Sequence, residues 1–565
     1  MIGRSLLRRS LFSSASQLAV RRFYSSEPVR AVTKATNTNG RLFAGALAGS
    51  LAGAALVTLG YSDKDDDTSS TTRLDEILPP KYCHDPKVFD DAVIKLKHIV
   101  GNNEDSFTVA KTDLDAHSDT YFNSHHATAE QRPRIVLFPH NTEEVSEIMK
   151  VCHEYDIPVI PFSGGTSLEG HFLPTRVGCT VMIDLSKFMN KIIKLNKEDL
   201  DVEVQAGVPW EDLNEFLNDQ QLMFGCDPGP GAQIGGCIAN SCSGTNAYRY
   251  GTMKENVVNI TAVLADGTVI KTRKRPRKSS AGYNLNGLLI GSEGTIAVVT
   301  EATIKCHVMP KKQTIAVVSF PTVGDAAACT SRIIQEGIQL DAMELLDDNM
   351  MKIINKSGAT YKTDWVEAPT LFFKIGGRND NIIKELVGEV NRIAEAHKCH
   401  KFEFAKTDDE KLELWEARKV ALWSVINAGK EANKDANVWT TDVAVPLSKF
   451  SQVIENTKEE MQKSGLISAI VGHAGDGNFH AFIVYTEKER SIADTLVRNM
   501  VKRAIDAEGT CTGEHGVGIG KREFLLEELG QAPVDFMRQL KLAADPKRIL
   551  NPDKIFKIDP NDHEH

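Results

Sequence analysis

The chain has 565 residues, of which 41% are hydrophobic and 25% charged. That length exceeds one compact core and fits two or three domains, and the composition excludes wholesale disorder. A formal net charge of −10 argues against nucleic acid as a main partner, and ten cysteines without one C-x-x-C exclude a disulfide framework, a zinc ribbon and a C-x-x-C-H haem attachment.

Residues 1–62 carry eight basic side chains and one acid, Glu27. Arg-rich, Ser-rich and acid-poor, residues 1–41 read as a mitochondrial transit peptide; a disordered basic tail is the alternative. An uncharged run follows at 42–62, with Arg41 before it and Asp63, Asp65, Asp66 and Asp67 after it. As a helix it would span roughly 31 Å, one bilayer core, although its Gly and Ala content also suits a buried helix. Basic before and acidic after make it a stop-transfer segment of the inner membrane, with the body in the intermembrane space. Cleavage beyond it would leave the body soluble there. Because this stretch holds +7, the remaining body carries −17, a surface that steers towards a basic partner.

A lead-in at 63–130 precedes a domain at 131–308. No G-x-G-x-x-G follows a strand and no G-x-x-x-x-G-K-[ST] occurs, so neither a Rossmann site nor a P-loop is supported. Residues 134–139 read as a strand, 142–155 as a helix capped by Asn141 or Thr142, and 159–162 as a second strand. That strand runs into a turn, Ser163 to Gly170, whose successive N–H groups can converge on an anion because glycine permits positive φ. A second turn cluster lies at 227–245 and a third at 291–296, leading into a Val/Thr-rich strand at 297–305. Singly each is only a turn; three in order between short strands form a pattern. The basic run from Lys271 to Lys278 reads as a solvated loop after strands at 260–264 and 269–271. An acidic partner or lipid headgroup docking there is the alternative.

The remaining residues, 309–565, carry the metal-type chemistry. Residues 408–428 read as one helix. His397, Cys399 and His400 lack a second half at metal-site spacing and read as surface. Residues 470–485 have two apolar arms around a Gly-Asp-Gly-Asn turn, a hairpin that brings His473 and His480 to neighbouring positions. Two imidazoles so placed are a metal pair, and Glu514 can complete a His₂Glu site that leaves coordination positions open. His515, next in sequence, is then free to act as a base.

Residues 161–170, the stretches 234–236 and 244–252, and residues 290–295 resemble the FAD-binding domain of the vanillyl-alcohol oxidase superfamily, in its D-2-hydroxy-acid dehydrogenase branch. The resemblance spans about residues 80–560. It implies an α+β fold: a two-subdomain FAD-binding domain and a C-terminal α+β substrate domain with an antiparallel sheet. It implies FAD contacts from Pro161, Ser163, Gly164, Gly165, Thr166, Ser167 and Gly170, from Gly235, Gly236, Ser243 and Gly244, from Glu293 and Ile296, and from Asn551 on a C-terminal return to the flavin domain. Relatives with covalent FAD have a histidine where this chain has Thr166, so the FAD is expected to be non-covalent, with His171 a polar bystander.

The same resemblance makes His473, His480 and Glu514 ligands of zinc or manganese, His515 the base and Arg418 the clamp on the substrate carboxylate. Asp442 would orient a neighbour, and Asn478 is a further contact. The implied reaction is oxidation of D-lactate, or a similar D-2-hydroxy acid, to the 2-keto acid. A divalent cation acidifies the hydroxyl, His515 takes the proton and hydride passes to flavin N5. With no haem motif in the chain, cytochrome c is the implied acceptor. D-2-Hydroxyglutarate is the rival substrate, and it would want an added cation in the pocket. A metallohydrolase would also use His₂Glu, but it leaves the glycine turns without a role.

Overall fold

The computed structural model describes residues 69–562. The expected leader and the 42–62 segment lie outside the described residues, among which no helix is long and apolar enough to cross a membrane. Three larger sheets organise the rest, with a two-stranded ribbon of Leu222–Met223 and His307–Val308 besides. In the first, Phe107–Thr108, Ile135–Leu137, Val181–Asp184 and Val159–Phe162 lie side by side in that order, the last three parallel. Parallel strands are covered on both faces, which is why these read as near-continuous apolar runs. Helix Thr142–Glu154 connects two of them, and its N-cap, Asn141, accepts the Glu144 N–H at 2.8 Å.

The second sheet is antiparallel: Ile192–Asn196, Asp201–Gln205, Ala297–Lys305, Val257–Leu264 and Val269–Lys271. The basic run after it is only partly solvated. Arg275 is held by Asp199 and Asp201 at 2.6 and 3.2 Å, and Arg273 donates to the Val258 carbonyl, whereas Lys274, Arg277 and Lys278 are exposed.

The third sheet is antiparallel along Lys401–Phe404, Lys312–Ser319, Thr370–Gly377, Ala342–Leu346, Ser468–His473, Asn478–Tyr485 and Asn437–Thr440. Two apolar cores flank it, one built around Phe373, Phe450 and Phe479, the other around Phe372, Trp415 and Val425. The helix expected at 408–428 is two helices, Asp408–Lys419 and Ala421–Ala432, meeting at Val420. The break lets Leu414, Trp415 and Ala417 on one side, and Ala421 and Val425 on the other, enter the same core.

The chain then returns to its first sheet: Leu550 bridges Val159, and Ile549 and Leu550 join the core of Ile135, Val145 and Val181. Lys541 secures this return. Its buried ammonium donates to Thr295 O, Asp545 Oδ2 and Leu550 O at 2.5, 2.6 and 2.7 Å. Lys541→Met leaves Asp545 buried without its cation and is expected to lower unfolding free energy by about 3–5 kcal/mol, measured by urea titration.

Candidate metal and flavin centre

The hairpin of Ser468–His473 and Asn478–Tyr485 closes through Gly477, whose φ of +68° suits glycine. Val471 lies opposite His480, so His473 and His480 end up with ring centroids 5.5 Å apart and nearly perpendicular. Each ring is anchored through Nδ1, His473 against Glu344 Oε1 at 2.8 Å and His480 against the Thr441 carbonyl at 2.9 Å. Both Nε2 atoms then face one oxygen, Glu514 Oε1, at 3.0 and 3.3 Å. Anchoring Nδ1 in this way fixes tautomer and ring direction, which is how metal-binding histidines are held.

The donor set fits a cation. With Nδ1–H of His480 donating to a carbonyl, its Nε2 carries a lone pair aimed at a carboxylate, two acceptors that need a proton or a cation between them. Burial works against a charged His473, but Glu344 and Glu514 outweigh it and raise its pKa well above the usual range. Asp442, His480 and His515 also converge. In that grouping Asp442 is already saturated: Oδ2 accepts the N–H groups of Glu514 and His515 and the Thr512 hydroxyl at 2.8–2.9 Å, and Oδ1 accepts Asn478 Nδ2 at 2.7 Å. The His473, His480 and Glu514 set is the better cage.

His515 stacks on His480 at 4.8 Å, and its buried Nδ1 finds no hydrogen-bond partner among the described residues. Burial pushes its pKa down to about 3 against the pull of Asp442, so the ring is neutral. Arg418 donates from Nε to Glu344 Oε2 at 2.7 Å. One buried carboxylate therefore holds both His473 and the guanidinium expected to grip substrate. Sequence reasoning missed Glu344, although its signal was there: a lone acid in the apolar strand Ala342–Leu346. It also missed Lys521, whose Nζ lies 3.4 Å from Glu169 and 3.7 Å from Asp442.

The three glycine turns converge on one another. A Cβ on Gly164 would lie 2.5 Å from Gly231 O, one on Gly236 3.1 Å from Ser163 Oγ, and one on Gly294 3.1 Å from Pro161. Such bare backbone contact is the kind of cradle a dinucleotide needs. Several residues expected at the cofactor have other partners. Glu514 Oε2 accepts Ser243 Oγ–H at 2.6 Å and Gly244 N–H at 3.0 Å. The Glu293 carboxylate accepts the N–H groups of Val517 and Gly518, and Asn551 Nδ2 donates to the carbonyls of His171 and Glu293. His171, expected to be a bystander to the flavin, is buried with Nε2 3.4 Å from Glu293. Residues 169–171, 243–244 and 293 pack where the two domains meet, so some positions that the resemblance assigns to the cofactor also serve the contact between domains. Thr166 and Ser167 remain in the first turn, and Ile296 is half-buried against the second sheet's core.

Fold and site together define a flavin-dependent oxidoreductase. Residues 133–273 match the family model "FAD binding domain", and residues 309–555 match "FAD linked oxidases, C-terminal domain". The chain belongs to the FAD-linked oxidase family. It is 69% identical over 524 residues to the mitochondrial D-lactate dehydrogenase [cytochrome] of Kluyveromyces lactis, covering 92% of this chain and 91% of that one. Identity to the mitochondrial D-lactate dehydrogenase [cytochrome] 1 of Saccharomyces cerevisiae is 68%, over 88% and 85%. Among solved structures the chain shares its fold with p-cresol methylhydroxylase, at TM-score 0.67 and 16% identity over 85% of this chain and 99% of the other.

Because Glu344 and Glu514 raise the pKa of His473, a cation bound through its Nε2 would have to displace a proton there. Apparent affinity is expected to rise about tenfold per pH unit until the pH passes that pKa. Calorimetry in buffers of different ionisation enthalpy counts the proton. Glu344→Gln, which removes one of its two holders, is expected to flatten the dependence near neutrality.

Proposed function

We propose that this protein oxidises D-lactate to pyruvate with FAD and delivers the electrons to cytochrome c in mitochondria. The observation that carries the reading is the convergence of two imidazole Nε2 atoms and one carboxylate oxygen beside a buried imidazole whose Nδ1 has no hydrogen-bond partner among the described residues. The two yeast relatives, whose names state this activity, support it.

When bound, FAD supplies a two-electron acceptor, and a zinc or manganese ion supplies the Lewis acidity that brings an alcohol's pKa within reach of a side-chain base. His473 and His480 through Nε2, and Glu514 through Oε1, would hold the ion. His515 accepts the hydroxyl proton. It is neutral beforehand, and the buried Asp442 carboxylate favours the imidazolium that follows. Arg418, with Nε fixed on Glu344, has its two Nη groups without a partner among the described residues, an oriented fork for the substrate carboxylate. Thr166 in the pyrophosphate turn supports non-covalent FAD. Pro161, Ser163, Gly164, Gly165, Gly235 and Gly236 lie in turns suited to cradle it.

D-2-Hydroxyglutarate would need a second cation. A candidate, Lys374, lies over the Trp415 ring at 4.3 Å, but its Nζ is engaged by Asn246 at 3.1 Å and Asp227 at 3.8 Å. That favours D-lactate. Residues 1–41 serve as the leader and 42–62 as the inner-membrane anchor in this reading, with the acidic body in the intermembrane space facing a small basic acceptor.

D-Lactate is expected to bleach the oxidised flavin anaerobically, while L-lactate or prior chelation leaves it unbleached. His515→Asn is expected to lower the bleaching rate about 10²- to 10⁴-fold, followed by stopped-flow absorbance. Reduction of cytochrome c by D-lactate should slow as salt rises, because charge-steered encounters are screened; a rate flat from low to high salt points to another acceptor.

A further inference from the structure

Residues 511–521, which carry Glu514 and His515, have no strand or long helix of their own. Several of their backbone N–H groups are satisfied from outside the segment. From the substrate domain, Asp442 takes the N–H groups of Glu514 and His515. From the flavin domain, each of the three glycine turns supplies a separate grip. The first offers the Glu169 carbonyl to the Ile519 N–H at 2.9 Å. The second gives Ser243 Oγ–H and Gly244 N–H to Glu514 Oε2. The third offers the Glu293 carboxylate to the N–H groups of Val517 and Gly518 at 2.6 and 2.8 Å.

The fit is backbone-close. A Cβ on Gly516 would lie 2.6 Å from His171 Nε2 and 2.8 Å from Glu293, and one on Gly518 would lie 2.0 Å from the Glu169 carbonyl. The loop can lie against the flavin domain only because it is bare there. Ser243 and Gly244 also engage one oxygen of Glu514, leaving the other, Oε1, for the two imidazoles.

We propose that Ser243 and Glu293 are positioning residues that make occupancy of the cation site and of the flavin site mutually dependent through loop 511–521. The inference rests on the functional reading above, that this chain holds both groups. The physical reason is shared ordering. A dinucleotide that orders the three turns thereby orders the loop carrying Glu514, and a cation that fixes Glu514 holds the turns through Ser243. The second ligand meets a segment the first has already ordered, so each tightens the other by the same factor.

The test uses the purified holoenzyme with its flavin and metal measured first by absorbance and elemental analysis. FAD release on dilution is followed by the rise of free-flavin fluorescence, with and without a chelator, and again after zinc or manganese is restored. Release is expected to be about 5- to 100-fold faster without the cation, the range usual for coupled sites, and to slow again on re-addition. In Ser243→Ala release is already fast with metal present and changes less than about twofold on chelation, while Ser243→Thr, which keeps the hydroxyl, regains the response. A merely structural role for Ser243 would raise both rates and preserve their ratio. Wild-type release that is equal with and without the cation overturns the coupling, as does a full chelator response in Ser243→Ala. Protein that carries flavin but no stoichiometric cation overturns the functional reading instead.

Discussion

Negative charge buried at one point governs this molecule. Glu344 and Asp442 have no exposed side-chain surface and Glu514 has little, yet all three lie around the same pair of histidines. Removing carboxylates from water is tolerated only when each is paired and hydrogen-bonded. Here Glu344 has Arg418 and His473, and Asp442 has four donors with Lys521 nearby. Glu514 has donors for one oxygen, while the other faces His473 and the lone pair of His480. That arrangement of two imidazole nitrogens and a carboxylate oxygen could hold a cation in the folded interior.

The same compensation joins the domains. Glu169 and Glu293, both in turns of the flavin domain, are fully buried against the loop that bears Glu514 and His515. Burial alone would push the Glu293 carboxyl up; His171 and the Val517 and Gly518 amides reverse this and hold its pKa below the usual range. The domain seam is therefore polar and specific, unlike the apolar cores on either side of the third sheet. Such a seam sets register between the glycine turns and the His473, His480 and Glu514 cluster, because hydrogen bonds have direction and apolar contacts do not.

Much of this was legible in residue spacing. The strands at 135–137, 159–162 and 297–305 and the helix from Thr142 follow from apolar runs and a cap. The 473–480 hairpin follows from a glycine turn between apolar arms. Less legible was the 408–428 helix, where a core on two sides of Val420 overrides a continuous helical pattern. Glu344 was hidden for a different reason: it lies far from His473 in sequence and touches it only because two strands pair antiparallel, with Glu344 directly opposite His473.

By itself the chain of residues determined what local chemistry can encode: the turns that free backbone N–H groups, the imidazoles brought together by one hairpin, and the carboxylate Glu514 with the imidazole of His515 next to it. Those depend on contacts a few residues long. Only the tertiary structure decided which oxygen of Glu514 faces the histidines, that Arg418 leans on Glu344, and that Ser243, Glu293 and His171 serve the seam between domains. Partners hundreds of residues apart meet only once the sheets have paired and the domains have docked, and no periodicity in the sequence records that meeting.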